Sequence, residues 1–210
     1  MVFNTLKNGY RLLDCACDYG NEVEVGVGIK KALNEKVLKR EELFVTSKLW
    51  NNYHRPEHVK MACQKTLKDL GLDYLDLYLM HFPISMKFIP FEEKYPPGWI
   101  HDEKEKYPSM EEDFVPLIDT WRAMEALVEE GLVKNIGICN FGTALLRDLI
   151  NQAKIPPAVL QIELHPELTQ KRLIRYCRRN RIQITAFSSF GSASYLELSM
   201  ATKEESIFEF

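Results

Sequence analysis

Four residues of the chain have types and spacing that suit proton transfer: Asp14, Tyr19, Lys48 and His81. A tyrosine is a weak acid at neutral pH, but a lysine ammonium beside it favours the phenolate, and an aspartate holds that lysine charged and in place. A neutral histidine can donate a hydrogen bond that orients a carbonyl. The chemistry this set suits is protonation of an oxygen as it becomes negative. It has no electron source, so for a reduction the hydride must come from a cofactor. Asn140 and Gln161 carry amides suited to a carboxamide, and Phe187 offers a ring face for stacking.

Taken singly, each has a plainer reading: Asp14 and Asn140 as helix caps, Lys48 as a surface lysine, His81 as a core histidine. Their places along the chain bring them together. Short apolar runs alternate with amphipathic stretches of helical period, which argues for parallel strands joined by crossover helices. Six strands are predicted, at Arg11–Asp14, Leu43–Ser47, Leu75–Met80, Lys134–Cys139, Val159–Glu163 and Gln183–Phe187. Helices are predicted at Val23–Leu33, Pro56–Leu70, Ile118–Glu130, Thr143–Gln152 and Leu168–Arg179. In a closed parallel barrel the active site lies at the C-terminal ends of the strands. Asp14 ends the first strand, Lys48 follows the second, His81 ends the third, Cys139-Asn140 ends the fourth, Gln161 lies in the fifth, and Phe187-Ser188 ends the sixth.

Composition narrows the function classes. The chain has 210 residues, 46% hydrophobic and 27% charged, an ordinary globular balance that excludes a disordered or fibrous chain. Its 27 basic residues against 30 acidic ones give a net charge of −3, with no global positive field for nucleic acid. The basic run Lys171, Arg172, Arg175, Arg178, Arg179 and Arg181 reads as a solvated helix face around Leu173, Ile174, Tyr176 and Cys177. Five cysteines without a C-x-x-C pair, and no secretory signal or membrane-length apolar run, point to the reducing cytosol and no membrane. Cys15 and Cys17 read as buried small residues. Gly26-Val27-Gly28 lies inside a helical pattern and reads as helix packing rather than a dinucleotide fingerprint. His54 and His58 have metal-ligand spacing but no third ligand nearby, so they read as a solvated helix start and no metal site is expected. At about 83–117 periodicity disappears in a stretch rich in Pro, Tyr, Lys and Glu, which reads as a long packed loop near the site.

These residues resemble the aldo-keto reductases, and within that family the D-xylose reductase (aldose reductase) branch. The resemblance runs through nearly the whole chain. It is carried by Gly9-Tyr10-Arg11-Leu12-Leu13-Asp14, Asp18-Tyr19-Gly20-Asn21-Glu22, Ser47-Lys48-Leu49-Trp50-Asn51-Asn52, His81-Phe82-Pro83, Glu93-Lys94-Tyr95-Pro96-Pro97-Gly98-Trp99, Gly137-Ile138-Cys139-Asn140-Phe141 and Ser188-Ser189-Phe190-Gly191. It implies a (β/α)8 TIM-type barrel that reduces the open-chain aldehyde of an aldose such as D-xylose, or another aldehyde, with NADPH or NADH. Tyr19 would be the general acid, Lys48 and Asp14 its tuners, and His81 the carbonyl-orienting residue. Asp18, Phe82 and Trp99 would join His81 against the substrate. Cys139, Asn140, Gln161, Phe187, Ser188, Ser189, Phe190 and Ser192 match cofactor-binding positions. For the full-length form the resemblance also allows a homodimer.

The chain departs from the family pattern in three ways. The nicotinamide-binding Ser-Asn pair reads Cys139-Asn140, and a thiol is the weaker donor. The stacking tyrosine is Phe187. Nothing corresponds to the first or eighth barrel strand, or to the segment that grips the adenosine 2′-phosphate. The expectation is a single incomplete barrel over residues 1–210, of about six βα units and truncated at both ends. Two unpaired edges should leave such a chain poorly stable. Two rival readings remain. A lysine at a strand end also suits a Schiff-base aldolase, though imine chemistry leaves Asp14, Tyr19 and His81 unexplained. The chain could also be a catalytically impaired fragment or remnant with no turnover of its own.

Overall fold

The computed structural model describes residues 1–100 and 110–191. Six strands form one parallel sheet in sequence order: β1 (Leu12–Asp14), β2 (Phe44–Leu49), β3 (Leu77–Met80), β4 (Ile136–Cys139), β5 (Val159–Glu163) and β6 (Gln183–Phe187). The helices are α1 (Val2–Lys7), α2 (Glu22–Asn34), α3 (Pro56–Leu70), α4 (Leu117–Glu129), α5 (Thr143–Gln152) and α6 (Lys171–Arg179). The α/β class and all six expected strands are therefore present. Each strand pairs in parallel with the next one in the chain.

The sheet is curled rather than flat. In a flat sheet β1 and β5, four strands apart, would be separated by about 19 Å, at roughly 4.8 Å per step. Instead Gln161 of β5 donates a 2.5 Å hydrogen bond to Asp14 of β1. The two side chains meet across the interior of an incomplete barrel. Among the described residues β1 and β6 are paired on one side only. Leu12 in β1 is 56% exposed, whereas every residue of β3 and β4 is buried.

The helices cover the outer face. α3 turns Val59, Cys63, Leu67 and Leu70 inward at helical spacing, and α4 does the same with Trp121, Met124 and Leu127. Pro56 opens α3, and Gly71, in the left-handed conformation, closes it. Gly26 and Gly28 serve helix packing, as expected. A Cβ on Gly26 would stand 2.5 Å from the Asp69 carbonyl oxygen of α3, and one on Gly28 would stand 2.6 Å from Val2 of α1.

At the N-terminal ends of the strands Asp76 is buried and takes charge from two sides. It pairs with Arg40 at 2.8 Å and Lys134 at 3.2 Å and accepts the Val45 N–H. In barrels this end of the sheet belongs to stability and the opposite end to chemistry.

The structure corrects several expectations. Helix α1 was not expected, because six residues with only Leu6 buried leave too little periodicity to see. Lys48 lies inside β2 rather than after it. Helix α6 begins at Lys171, not Leu168. A turn joining His165 to Leu168, followed by the left-handed Gln170, occupies the residues before it. His54 is not solvated but 1% exposed. Its ring meets Ser85 at 3.2 Å and its carbonyl accepts from Thr120 at 2.7 Å. The basic face of α6 is solvent-exposed, as expected.

The stretch between β3 and α4 is pinned to the residues that follow β2. Met86 donates its N–H to the Asn51 carbonyl and Asn52 donates to the Lys87 carbonyl, while Arg55 makes a bidentate pair with Asp113 at 2.6 and 2.7 Å. The helix contacts around Gly26 give a direct test of packing. Gly26→Ala is expected to lower the stability of the chain by about 2 kcal/mol, because neither backbone can retreat without losing core contact. Urea unfolding of both proteins, with equal slopes, measures it.

Candidate active site

The site is built around one buried charge. Side chains alternate along β2, so Ser47 faces the helices while Lys48 and Trp50 face the sheet interior. Lys48 is fully buried. Its Nζ donates to the carboxylate of Asp14, to the Cys15 carbonyl at 2.9 Å and to Tyr19 Oη at 3.2 Å. The three N–H groups of the ammonium therefore meet three oxygens. Burial pushes the Lys48 pKa down, but the charge and hydrogen bonds of Asp14 and Tyr19 outweigh it, and the net direction is upward.

Tyr19 reaches Lys48 from a short 3-10 turn, Cys17–Tyr19, closed by Gly20 in the left-handed conformation. Buried Ala16 and Cys17 anchor that turn, and the Tyr19 side chain remains half exposed. Two residues beyond Gly20, the buried Glu22 carboxyl accepts Ser47 Oγ at 2.6 Å and Thr66 Oγ1 at 3.0 Å. The loop that carries the tyrosine is thus tied to β2 one residue before the lysine. Burial raises the Glu22 pKa, and the hydroxyls of Ser47 and Thr66 partly offset the rise. Asp18, beside Tyr19, is partly buried and its pKa is also raised by burial.

His81 follows β3 directly. Its N–H donates to the Leu49 carbonyl at 3.1 Å, and its own carbonyl accepts Asn140 Nδ2 at 2.8 Å. The ring stacks on Phe82 at 4.9 Å and lies 5.1 Å from Trp50 and 6.3 Å from Tyr19, both edge-on. Burial, helped by the Lys48 ammonium, pushes its pKa down to about 3, so the ring is neutral at physiological pH. Trp50, Phe82 and Trp99 form one aromatic cluster with centroids 5.0 to 5.8 Å apart, and Trp50 Nε1 donates to the Gly98 carbonyl at 3.2 Å. Trp50 was not among the expected site residues. Its signal was the alternation itself, since it stands two residues after Lys48 on the same face.

The amides converge on the same corner. Asn140, in the left-handed conformation after β4, and Gln161 in β5 lie beside buried Cys139, whose thiol is 3.9 Å from Gln161 Oε1. Burial raises the Cys139 thiol pKa well above its usual value, keeping it a neutral donor. All five cysteines are free and buried. Two amides and a thiol on the adjacent strands β4 and β5, with the partly buried ring of Phe187 at the end of β6, have the hydrogen-bonding and stacking chemistry that fits a nicotinamide ring and its carboxamide. Ser188 and Ser189 continue from Phe187, and Phe190 stands 77% exposed. Ser192 lies outside the described residues. Among the described residues no group of His, Cys, Asp and Glu could hold a metal ion, and no helix is long and apolar enough to cross a membrane.

The chain matches known proteins over nearly its full length. Residues 1–206 match the model of the aldo/keto reductase family. It is 57% identical over 205 residues to an NAD(P)H-dependent D-xylose reductase of Pachysolen tannophilus, covering 98% of this chain and 64% of that protein. The chain thus spans less than two thirds of that relative's length. Among solved structures it is similar to the aldose reductase of Schistosoma japonicum, with a TM-score of 0.82 and 41% identity, covering 95% of this chain and 64% of the other. An aldo-keto reductase of Bombyx mori in complex with NADP matches with a TM-score of 0.77 and 37% identity, over 89% of this chain and 54% of the other.

The depressed basicity of His81 has a measurable consequence. The folded chain refuses a proton that the unfolded chain accepts at about pH 6.5, so acidification below that value removes stability at this residue. Imidazole NMR is expected to find His81 neutral at about pH 5, where an ordinary histidine is mostly protonated. A ring that titrates near 6.5 in the folded chain would contradict the burial described above.

Proposed function

Because this chain belongs to the aldo/keto reductase family, we propose that it reduces the carbonyl of an aldose such as D-xylose, or of another aldehyde, to the alcohol. NADPH or NADH, when bound, supplies the hydride. The observation that carries the reading is the Lys48 ammonium, shared between the Asp14 carboxylate and Tyr19 Oη. An oxygen that loses a proton beside a buried ammonium keeps a hydrogen bond to a positive charge, and this stabilises the tyrosinate as Tyr19 gives its proton to the substrate oxygen. Neutral His81 orients that oxygen through a ring N–H. Asp18, Phe82 and Trp99 contact the substrate, with Trp50 supporting the wall behind them.

Asn140, Gln161 and Cys139 hold the nicotinamide end of the cofactor, Phe187 stacks on its ring, and Ser188, Ser189, Phe190 and Ser192 continue along it. Support comes from the named activities of the relatives, which include NAD(P)H-dependent D-xylose reduction. Schiff-base chemistry is opposed by the ion pair, since an imine forms from a free amine and Lys48 is held as ammonium.

A second reading, that the chain keeps the acid set without turnover, is favoured by the place of Asp14. Its strand is paired on one side only among the described residues, and its side chain is about a third exposed. One experiment separates the two. Following NADPH oxidation with D-xylose and with a simple aldehyde, the first reading expects turnover. It also expects Tyr19→Phe to lose about 10²–10⁴-fold in kcat with NADPH binding retained. NADPH binding without turnover by the unsubstituted chain favours the second reading, and turnover by Tyr19→Phe at the original rate sinks the assignment of the acid.

A further inference from the structure

The bond between Gln161 and Asp14 joins two groups that the reductase reading puts to different uses, one on the cofactor and one on the acid set. Asp14 stands on β1, paired on one side only among the described residues, and about a third of its side chain is exposed, so water competes for its carboxylate. Its Oδ1 takes the Lys48 ammonium. Its Oδ2 takes Gln161 Nε2 at 2.5 Å, from a side chain that is 7% exposed and four strands away. An ionised carboxylate can only accept, so the amide must present its nitrogen there, and its oxygen is turned toward the Cys139 thiol.

We propose that Gln161 is a positioning residue for the proton donor. By holding Oδ2 of Asp14 from across the sheet, it keeps the carboxylate turned inward, with Oδ1 on Lys48, and so keeps the ammonium in place beneath Tyr19. The proposal rests on the reductase reading only for what this arrangement serves.

Lys48 reports on the arrangement directly. The groups that face it are Asp14 and the Cys15 carbonyl and thiol from β1 and the residue after it, Tyr19 from the 3-10 turn, His81 beyond β3, and the Cys139 thiol of β4. Asp14 is the only carboxylate bonded to Lys48 among the described residues. If Asp14 turns to solvent, burial of the ammonium is offset by Tyr19 alone, and the Lys48 pKa falls.

The test is the titration of Lys48 by NMR in the 210-residue chain labelled with ¹³C-lysine, the resonance being assigned by its absence in Lys48→Arg. Gln161→Met keeps the volume and removes the donor. It is expected to lower the Lys48 midpoint by about half a pH unit or more, with the circular dichroism spectrum retained. In an Asp14→Asn background the same substitution is expected to leave the midpoint unchanged, because the effect passes through Asp14. Should Gln161→Met fail to fold, Gln161→Asn, one methylene too short to reach, gives the same reading. An unmoved midpoint in a folded variant overturns the proposal, as does an equal fall in the Asp14→Asn background. The titration uses neither cofactor nor aldehyde, so a chain that proves unable to reduce carbonyls refutes the reductase reading and leaves this result standing on its own.

Discussion

A buried ammonium is costly unless every one of its protons finds an oxygen, and Lys48 sets the terms for much of the structure around it. Its three acceptors come from three places: the end of β1, the backbone just after it, and the turn that carries Tyr19. Removing any of them leaves a charge in a low-dielectric interior with an unmet proton. The requirement explains why Tyr19 is brought over the lysine although its own side chain is half exposed. It also adds to the burial that keeps the neighbouring histidine neutral, since a second positive charge so close would repel the first.

The two ends of the sheet handle charge differently. At the N-terminal end, Asp76 is a buried anion with two cations and a backbone donor around it. At the C-terminal end, the ion pair keeps one partner near water. Asp14 is partly exposed and Tyr19 more so, while Lys48 is sealed. A saturated buried pair has no reason to change its protonation. A pair whose hydroxyl partner is half exposed can hand a proton outward and keep the resulting charge stabilised from below.

Much of this was legible in the order of residue types. Strands recognised by their apolar runs put Asp14, His81, Asn140 and Gln161 at or near one end of a parallel sheet, because parallel strands joined by crossover helices all point the same way. Lys48 was placed one step outside its strand, since β2 continues to Leu49 through residues whose polarity hides the pattern. Burial of polar side chains was the least legible quantity. His54 looks like an exposed helix start from its neighbours Arg55, Pro56 and Glu57. It is buried because the stretch after β3 folds back over it and brings Ser85 to its ring, a contact between segments thirty-one positions apart. The bond from Gln161 to Asp14 was invisible for the same reason, as it depends on how tightly the sheet curls.

The sequence-ordered sheet also bears on the order in which the site comes into being. Each strand pairs with its immediate predecessor, so contacts can form progressively as the chain leaves the ribosome, with little loop-closure entropy held in reserve. Asp14, Tyr19, Lys48 and His81 all lie on the first three strands or in the residues that follow them. The amides that complete the corner arrive with β4 and β5, and the longest-range hydrogen bond of the site, between residues 147 positions apart, can close only then. The nascent chain therefore holds its proton-donating half before it owns the amide corner, and the curl of the sheet is the event that joins them.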